Sequence, residues 1–337
     1  MTEKIKTGLV GLGRIGKVHL KSLVYHIPQA EVVAVSDIDA STKQVAEEFG
    51  IANFYADFKD MVDHPGVEAI VICAPATTRL EQIECAASAG KDIFCEKPLD
   101  MTVENIQVIQ GIVEKYGVKL QVGFNRRFDT DFATLKRKVE DGDIGDLHIL
   151  RITSRDPGPP PISYIKTSGG LFLDMTIHDF DIARFMVGSE VTEVFALGAV
   201  RIDEEIGKAG DIDTAIIQLK FENGTIGAID NSRKSVYGYD QRVEVFGSRG
   251  MSATTNHHQD SLVNYDRDGR KGSPVVDFFI ERYTEAYINE MRAFFDAISN
   301  DDPVPVGAFD ALMATKMAMA ARKSMEENRP VKLEEIG

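Results

Sequence analysis

Through residues 1–123, short apolar runs alternate with longer stretches whose apolar positions recur every three or four residues. The runs Ile5–Val10, Val32–Ser36, Ala69–Cys73, Asp92–Cys95 and Lys119–Val122 have the length and character of strands in a parallel sheet. The stretches near Ile15–Tyr25, Ser41–Phe49, Arg79–Ala89 and Val103–Tyr116 carry the helical period. Ser41 and Thr102 stand where helices start, and Gly50 and Gly117 where they end. Strand and helix in alternation predict an α/β unit on a parallel sheet.

The pattern changes after Gly123. A helix near Phe128–Glu140 and a strand near Leu147–Ser154 lead into Pro157-Gly158-Pro159-Pro160-Pro161, a non-regular loop because its four prolines lack amide donors. A helix is predicted over Gly170–Phe185, then strands over Val191–Arg201, Ile212–Phe221, Thr225–Ser232 and Arg242–Phe246. Asn223-Gly224 signals a hairpin, with both residues expected in the left-handed region. Ile217, Leu219 and Phe221 alternate with Gln218 and Lys220, the mark of a sheet with one polar face. Helices near Tyr283–Ser299 and Ala308–Glu326 follow. The expected organisation is therefore a parallel-sheet domain over 1–123 and an α+β domain over 124–337 with a large open, mostly antiparallel sheet. Self-association is one way to cover such an open face.

The first strand breaks into Gly11-Leu-Gly13-Arg14-Ile15-Gly16, and Asp37 follows Gly16 by 21 residues at the end of the second strand. Gly11 permits the tight turn, Gly13 clears the approach of a pyrophosphate, and Gly16 lets the helix pack close to the sheet. The helix start presents N–H groups and a positive dipole end to phosphates. Asp37 suits the ribose hydroxyls, and a carboxylate there opposes a 2′-phosphate, so NAD is favoured over NADP. A glycine motif alone is weak evidence; the flanking strand, helix and acid make it a dinucleotide site.

Length and composition narrow the partners. The 337 residues suit two domains with cores of their own, with 43 % apolar and 27 % charged residues as in ordinary globular proteins. A net charge of −15 disfavours nucleic acid and anionic membrane surfaces. No apolar stretch approaches a membrane span and no secretory segment opens the chain, so a cytoplasmic protein is expected. Cys73, Cys85 and Cys95 lack metal-type spacing and read as buried thiols, although Cys95 beside Glu96 and Lys97 has a reactive alternative. His257-His258 points to opposite faces of an extended segment, and no zinc cluster is evident, so no metal is expected.

Two groups of residues carry candidate chemistry. Glu96-Lys97-Pro98 follows a strand at the carboxyl edge of the parallel sheet, where ligands bind in such folds. An ammonium there can stabilise alkoxide character on a substrate oxygen; a surface lysine paired with Glu96 is the alternative. Asp174 and His178 are four apart, on one face of a helix, and a carboxylate beside an imidazole suits a general base. Asp181 lies three residues further on and could buttress the ring, and Gly169-Gly170 permits close backbone approach. A histidine satisfied by a neighbouring carboxylate is the competing reading. Arg127 in Asn125-Arg126-Arg127-Phe128 and Asp156 in Ser154-Arg155-Asp156-Pro157 follow predicted strands and suit a polyhydroxylated ligand. Tyr237 and Tyr239 either line a polar pocket or fill a strand face.

Together these segments resemble the family of glucose–fructose oxidoreductase, inositol dehydrogenase and rhizopine-catabolism oxidoreductases. The resemblance spans nearly the whole chain: Gly11-Leu-Gly13-Arg-Ile-Gly16, Cys95-Glu96-Lys97-Pro98-Leu99, Gly123-Phe-Asn125-Arg-Arg127-Phe128, Gly169-Gly170-x-x-x-Asp174-x-x-x-His178-x-x-Asp181 and Arg329-Pro330-Val331. The loop from Ser154 to Pro161 is most similar to that of bacterial inositol dehydrogenases. The resemblance implies a Rossmann domain, a second α/β domain with an open sheet, assembly as a homotetramer, and NAD-dependent oxidation of a cyclic polyol. Myo-inositol is the leading substrate; scyllo-inositol or an aldose is the alternative, and a non-catalytic sensor a remote third. It gives catalytic roles to Lys97, His178 and Asp174, and polyol contacts to Arg127, Asp156 and Tyr239. Gly11, Gly13, Arg14, Ile15, Gly16, Asp37, Ala74, Pro75, Thr78, Glu96 and Lys97 would bind the cofactor.

Overall fold

A computed structural model describes residues 4–337. Ile5–Val10 (β1), Ala30–Ser36 (β2), Phe54–Tyr55 (β3), Ala69–Ile72 (β4), Asp92–Glu96 (β5) and Leu120–Gly123 (β6) form a sheet in the order β3-β2-β1-β4-β5-β6. Every neighbouring pair in it is parallel. The order reverses at β1 and β4, the switch point beside which ligands bind in doubly wound sheets. β3 has two residues, too few for a periodic signal, and the short helix Phe58–Val62 escaped prediction for the same reason.

Helices sit where caps and apolar spacing place them. Val103–Tyr116 is the clearest case: Thr102 Oγ1 accepts the Asn105 N–H at 3.2 Å, and Gly117 closes the helix at φ +65°. The helix expected from Ser41 starts differently. Asp39 caps a 3-10 turn over Ala40–Thr42, accepting the Ser41 N–H at 2.9 Å, and the α-helix runs over Lys43–Glu48. Leu9, Leu20, Val35, Val71 and Phe94 share one core cluster with Met291, Phe294 and Phe295. Each fully buried side chain of this kind contributes about 1.5–3 kcal/mol.

That packing redraws the domain boundary. One compact unit runs to Phe128 and takes back Glu285–Met313; the other comprises Asp129–Thr284 and Ala314–Gly337. Sequence order had assigned everything after residue 123 to the second domain. The apolar stripe of helix Thr284–Asn300 instead completes the core of the first unit.

In the second unit Leu147–Arg155 (β7), Val191–Ala199 (β8), Thr214–Phe221 (β9), Ile226–Ser232 (β10), Asp240–Gly247 (β11) and Gly250–Ala253 (β12) form most of one sheet. Val263–Asp266 (β13) and Gly269–Gly272 (β14) pair as a separate ribbon, while Val331–Lys332 (β15) closes the large sheet at the β8 edge. The order is β12-β11-β7-β10-β9-β8-β15, antiparallel except between β7 and β10. β9 alternates as expected, with Ile217, Leu219 and Phe221 buried. The β9–β10 turn differs from expectation. Gly224 is left-handed at φ +88°, while Asn223 is not among the left-handed non-glycine residues and its side chain accepts the Thr225 N–H at 3.0 Å. The Asn223 side chain thus stabilises a wider turn in place of a second left-handed residue.

Candidate cofactor and catalytic sites

The glycine turn lies in the first unit, after β1. Gly11 has φ +87° and donates its N–H to Ser36 O at 2.8 Å. A Cβ on Gly16 would lie 1.8 Å from Gly11 O, so no other residue fits there. A Cβ on Gly13 would meet nothing within 4 Å: the backbone faces open space at the N-cap of helix Arg14–His26. Arg14 is exposed and Ile15 half-buried in this first turn. First-turn amides lack intrahelical acceptors, which suits an anionic group over Gly13.

Asp37 closes the turn from the neighbouring strand. Its Oδ2 accepts the Leu12 N–H at 2.5 Å and its Oδ1 the Asp39 N–H at 2.8 Å. The carboxylate lines a cleft of about 380 Å³ with Gly13, Lys17, Asp39, Ser41 and Thr42. A bare glycine at a helix start, with an anchored acid at the cleft edge, fits the pyrophosphate and ribose diol of NAD. Lys17, Ser41 and Thr42 are also suited to a phosphate, whereas the carboxylates of Asp37 and Asp39 oppose one.

Two loops at the carboxyl edge of the sheet are joined by a residue that sequence reasoning missed. Ala74 is buried, Pro75 caps helix Ala76–Ser88, and exposed Thr78 donates through Oγ1 to Pro75 O at 2.9 Å. Arg79 in that helix is buried; it donates through Nε to Ala74 O at 2.9 Å and through Nη1 to the carbonyls of Glu96 and Pro98. An arginine on an amphipathic helix reads as solvated in sequence, so nothing local flagged it.

Lys97 is half-buried just after β5, and the Lys97–Pro98 peptide is cis. Glu96 turns inward: it is 5 % exposed, its Oε1 lies 2.6 Å from His19 Nε2, and its Oε2 accepts the Lys97 N–H at 3.0 Å. A carboxylate bonded in this way anchors the loop from inside the fold, a different task from the cofactor contact expected of it. Beside it Cys95 is fully buried, and burial pushes its thiol up to about 12. That sets aside the reactive-thiol reading. Arg127 lies in a 3-10 turn over Asn125–Phe128, its Nη2 2.8 Å from Asp310 Oδ1.

The second unit holds the aspartate–histidine segment. The expected single helix opens with a π turn over Phe172–Thr176 and continues as an α-helix over Ile177–Val187. The wider π turn changes the angular offset between Asp174 and His178 from that of an α-helix; such turns are frequent at functional sites. Asp174 Oδ1 accepts the Tyr164 hydroxyl at 2.8 Å, and Oδ2 lies 3.2 Å from Arg233 Nη1. Arg233, 1 % exposed, also lies 3.5 Å from Asp211 Oδ2. Tyr164 and Arg233 were not foreseen. Residue 233 is 59 positions away in sequence and reaches Asp174 only through the sheet.

His178 is half-buried, and Asp181 is buried three residues on. Gly169 and Gly170 have φ +85° and +84°. A Cβ on Gly170 would meet Asp211 Oδ1 at 2.8 Å, and that carboxylate accepts the Leu171 N–H at 2.9 Å. The paired glycines thus allow Asp211 to close over the turn.

Asp156 is half-buried, donating its N–H to Ser232 O at 2.9 Å and accepting the Ser235 N–H at 2.6 Å. Tyr239 is buried edge-on to Tyr283, the ring centroids 6.1 Å apart, and its N–H donates to Val276 O at 2.9 Å. Tyr237 donates to Asp240 Oδ2 at 2.5 Å and accepts from Arg155 Nη1 at 2.9 Å. Burial pushes the Asp240 carboxyl up, but hydrogen bonds from Arg242, Tyr237 and Asn256 outweigh it and hold it below its ordinary value. His257 pairs with Asp131 at 2.6 Å and His258 with Ser273 O at 2.7 Å, so the two imidazoles take separate partners.

Comparison with known proteins adds a context to this geometry. Residues 5–124 match the oxidoreductase family with an NAD-binding Rossmann fold, and residues 132–253 match the GFO/IDH/MocA C-terminal domain. The chain is similar to the myo-inositol 2-dehydrogenase of Thermotoga maritima, with 46 % identity over 98 % of this chain and 99 % of that one. It is 43 % identical to the inositol 2-dehydrogenase of Rhizobium meliloti over 98 % and 99 % of the two chains. Among solved structures, a scyllo-inositol dehydrogenase from Lactobacillus casei with bound NAD(H) and scyllo-inositol superposes with a TM-score of 0.93. The identity to it is 34 %, covering 98 % of this chain and 100 % of that one.

Proposed function

From the premise that this chain belongs to the GFO/IDH/MocA oxidoreductase family, we propose that it oxidises myo-inositol to 2-keto-myo-inositol (scyllo-inosose) with NAD. It is an NAD-dependent dehydrogenase of the Rossmann type. The observation that carries the cofactor reading is the Asp37 carboxylate, bonded to Leu12 N–H at the edge of the cleft over Gly13. The substrate reading rests on full-length similarity to inositol dehydrogenases.

Bound NAD supplies the acceptor for the hydride that leaves the alcohol carbon. The chain's residues do the rest. Lys97 donates from its ammonium to the reacting oxygen and stabilises alkoxide character as the C–H bond breaks. His178 accepts the hydroxyl proton, and Asp174, fastened by Tyr164 and Arg233, orients it. The family resemblance gives contacts with the remaining hydroxyls to Arg127, Asp156 and Tyr239. Arg127 is pre-positioned for this by Asp310, since an arginine already held loses less side-chain entropy on binding.

Initial rates of nicotinamide reduction with NAD or NADP, across inositol isomers and aldoses, test the reading. Fast NAD reduction with myo-inositol is expected. Reaction with scyllo-inositol alone would move the assignment to the alternative that the Lactobacillus casei enzyme represents; reaction with aldoses alone would make this a sugar dehydrogenase. Asp37→Ala is expected to lower kcat/KM for NAD about 10- to 100-fold, the equivalent of hydrogen bonds to a charged group. NADP use should rise relative to NAD, because Lys17, Ser41 and Thr42 remain in the cleft. An unchanged cofactor ratio would remove Asp37 from that role.

The open sheet of the second unit supports a reading of self-association. Ile226, Ile149, Phe246 and Met251 are register partners across β10, β7, β11 and β12, and three of them are exposed: Ile226, Phe246 and Met251. Leu197 and Ile216, also paired and exposed, extend the apolar surface. Such a face is suited to a second copy, and a homotetramer is the assembly proposed. In light scattering the wild-type protein should run as an oligomer, and Ile226→Glu with Phe246→Glu should lower its mass. A wild-type monomer would refute the assembly. No helix among the described residues is long and apolar enough to cross a membrane. The thiols Cys73, Cys85 and Cys95 form no disulfide, which accords with the reducing cytoplasm proposed as its compartment.

A further inference from the structure

Beneath the Lys97 loop, in the first unit, lies a buried group that the reaction above does not use. His19 comes from the helix after the glycine turn, Glu96 from the end of β5, and Glu290 from helix Thr284–Asn300. His19 and Glu290 are 0 % exposed. His19 Nε2 lies 2.6 Å from Glu96 Oε1 and 4.0 Å from Glu290 Oε1. Among the described residues, neither carboxyl oxygen of Glu290 has a hydrogen-bond partner, nor does His19 Nδ1. Three ligating groups this close could hold a metal ion. The 2.6 Å contact, however, is a hydrogen-bond length, and the other Glu96 oxygen is engaged by the Lys97 N–H. The cluster is a hydrogen-bonding one.

We propose that His19 and Glu290 are positioning residues which, acting through Glu96, hold the backbone of Lys97 in place for hydride transfer. This rests on the role given to Lys97 above. Glu96 spends one oxygen on His19 and the other on the Lys97 amide, so the imidazole fixes where the carboxylate sits, and the carboxylate fixes the lysine backbone. Arg79 grips the same loop through the carbonyls of Glu96 and Pro98. We assign the proton between His19 and Glu96 to Nε2, because the facing atom is a carboxylate oxygen.

Glu290 completes the arrangement. Its burial, with the Glu96 charge beside it, pushes its carboxyl well above the ordinary value, which favours the neutral acid. Its Oε1 stands 4.0 Å from His19 Nε2, beyond hydrogen-bond reach, so that N–H is left to Glu96. Its backbone is held by Gln121, whose Nε2 donates to the Glu290 carbonyl at 2.8 Å.

The test compares wild type with His19→Ala, His19→Gln and Glu290→Ala. Amide hydrogen exchange of residues 95–99 is measured without cofactor, and kcat and KM for NAD are measured with it. His19→Ala should speed exchange at the Lys97 amide selectively and lower kcat about tenfold or more, as for a small misplacement of a reacting group. KM for NAD should change much less, because the glycine turn and Asp37 remain. Glu290→Ala should act in the same direction. His19→Gln, which keeps a donor within reach of Glu96, should recover much of both losses. Unchanged exchange and kcat in a folded His19→Ala protein would overturn the proposal, as would exchange that rises evenly along the chain. If His19→Ala does not fold, Glu290→Ala carries the expected losses, and its unchanged exchange and kcat would overturn the proposal. Selective exchange in a protein that oxidises no inositol would uphold the positioning role while refuting the function proposed above.

Discussion

Lys97→Ala is expected to lower kcat for inositol oxidation about 100- to 1,000-fold, the usual loss when a preorganised donor to a developing oxyanion is removed. The substitution leaves NAD affinity nearly intact, since Gly13, the helix start and Asp37 lie in another part of the first unit's sheet edge. Steady-state absorbance at the reduced nicotinamide gives kcat, and calorimetric titration gives the NAD dissociation constant. With substrate deuterated at the reacting carbon, the isotope effect should grow toward its intrinsic value, because the missing donor makes hydride transfer the slow step. Lys97→Arg should restore little, since a planar guanidinium does not reproduce the compact ammonium. A Lys97→Ala enzyme within about threefold of wild type would remove this residue from the chemistry.

His178→Ala is the second large effect expected, with kcat about 100- to 10,000-fold lower, the range for loss of a positioned general base. Its pH dependence separates it from Lys97→Ala. Without the imidazole the proton must leave to solvent, so the rate should keep rising with pH where the wild-type rate has levelled. Added imidazole should recover part of the activity. Asp174→Asn provides a milder comparison, because Tyr164 and Arg233 both bind the carboxylate and only the second loses its ionic partner. If His178→Ala kept the wild-type pH profile, the proton acceptor would be another group.

Much of the first unit was legible because its signals are local. The strand before Gly11, the acid at residue 37 and the cap pair Thr102–Gly117 each act over a few residues, and each sits where the pattern placed it. The alternation in β9 was equally readable, since side chains of period two must face one sheet surface or the other. Less legible were short elements such as β3, and turns whose side chains change the backbone, as Asn223 does beside Gly224. The π turn at Phe172–Thr176 was hidden for a related reason. An inserted residue leaves the apolar pattern of the helix nearly unchanged while altering which side chains stand above one another.

The sequence by itself determined the alternating sheet and the glycine turn with the acid at residue 37, and it supplied the candidate residues for the chemistry. Those properties reside in backbone preference and side-chain type within short windows. The tertiary structure alone decided who partners whom. It turned Glu96 inward to His19, 77 residues away, set Arg233 on Asp174, and returned Glu285–Met313 to the first unit's core. A buried charge must find a partner, and an apolar helix face must find a core. Which partner and which core depend on where the folded chain brings distant segments together.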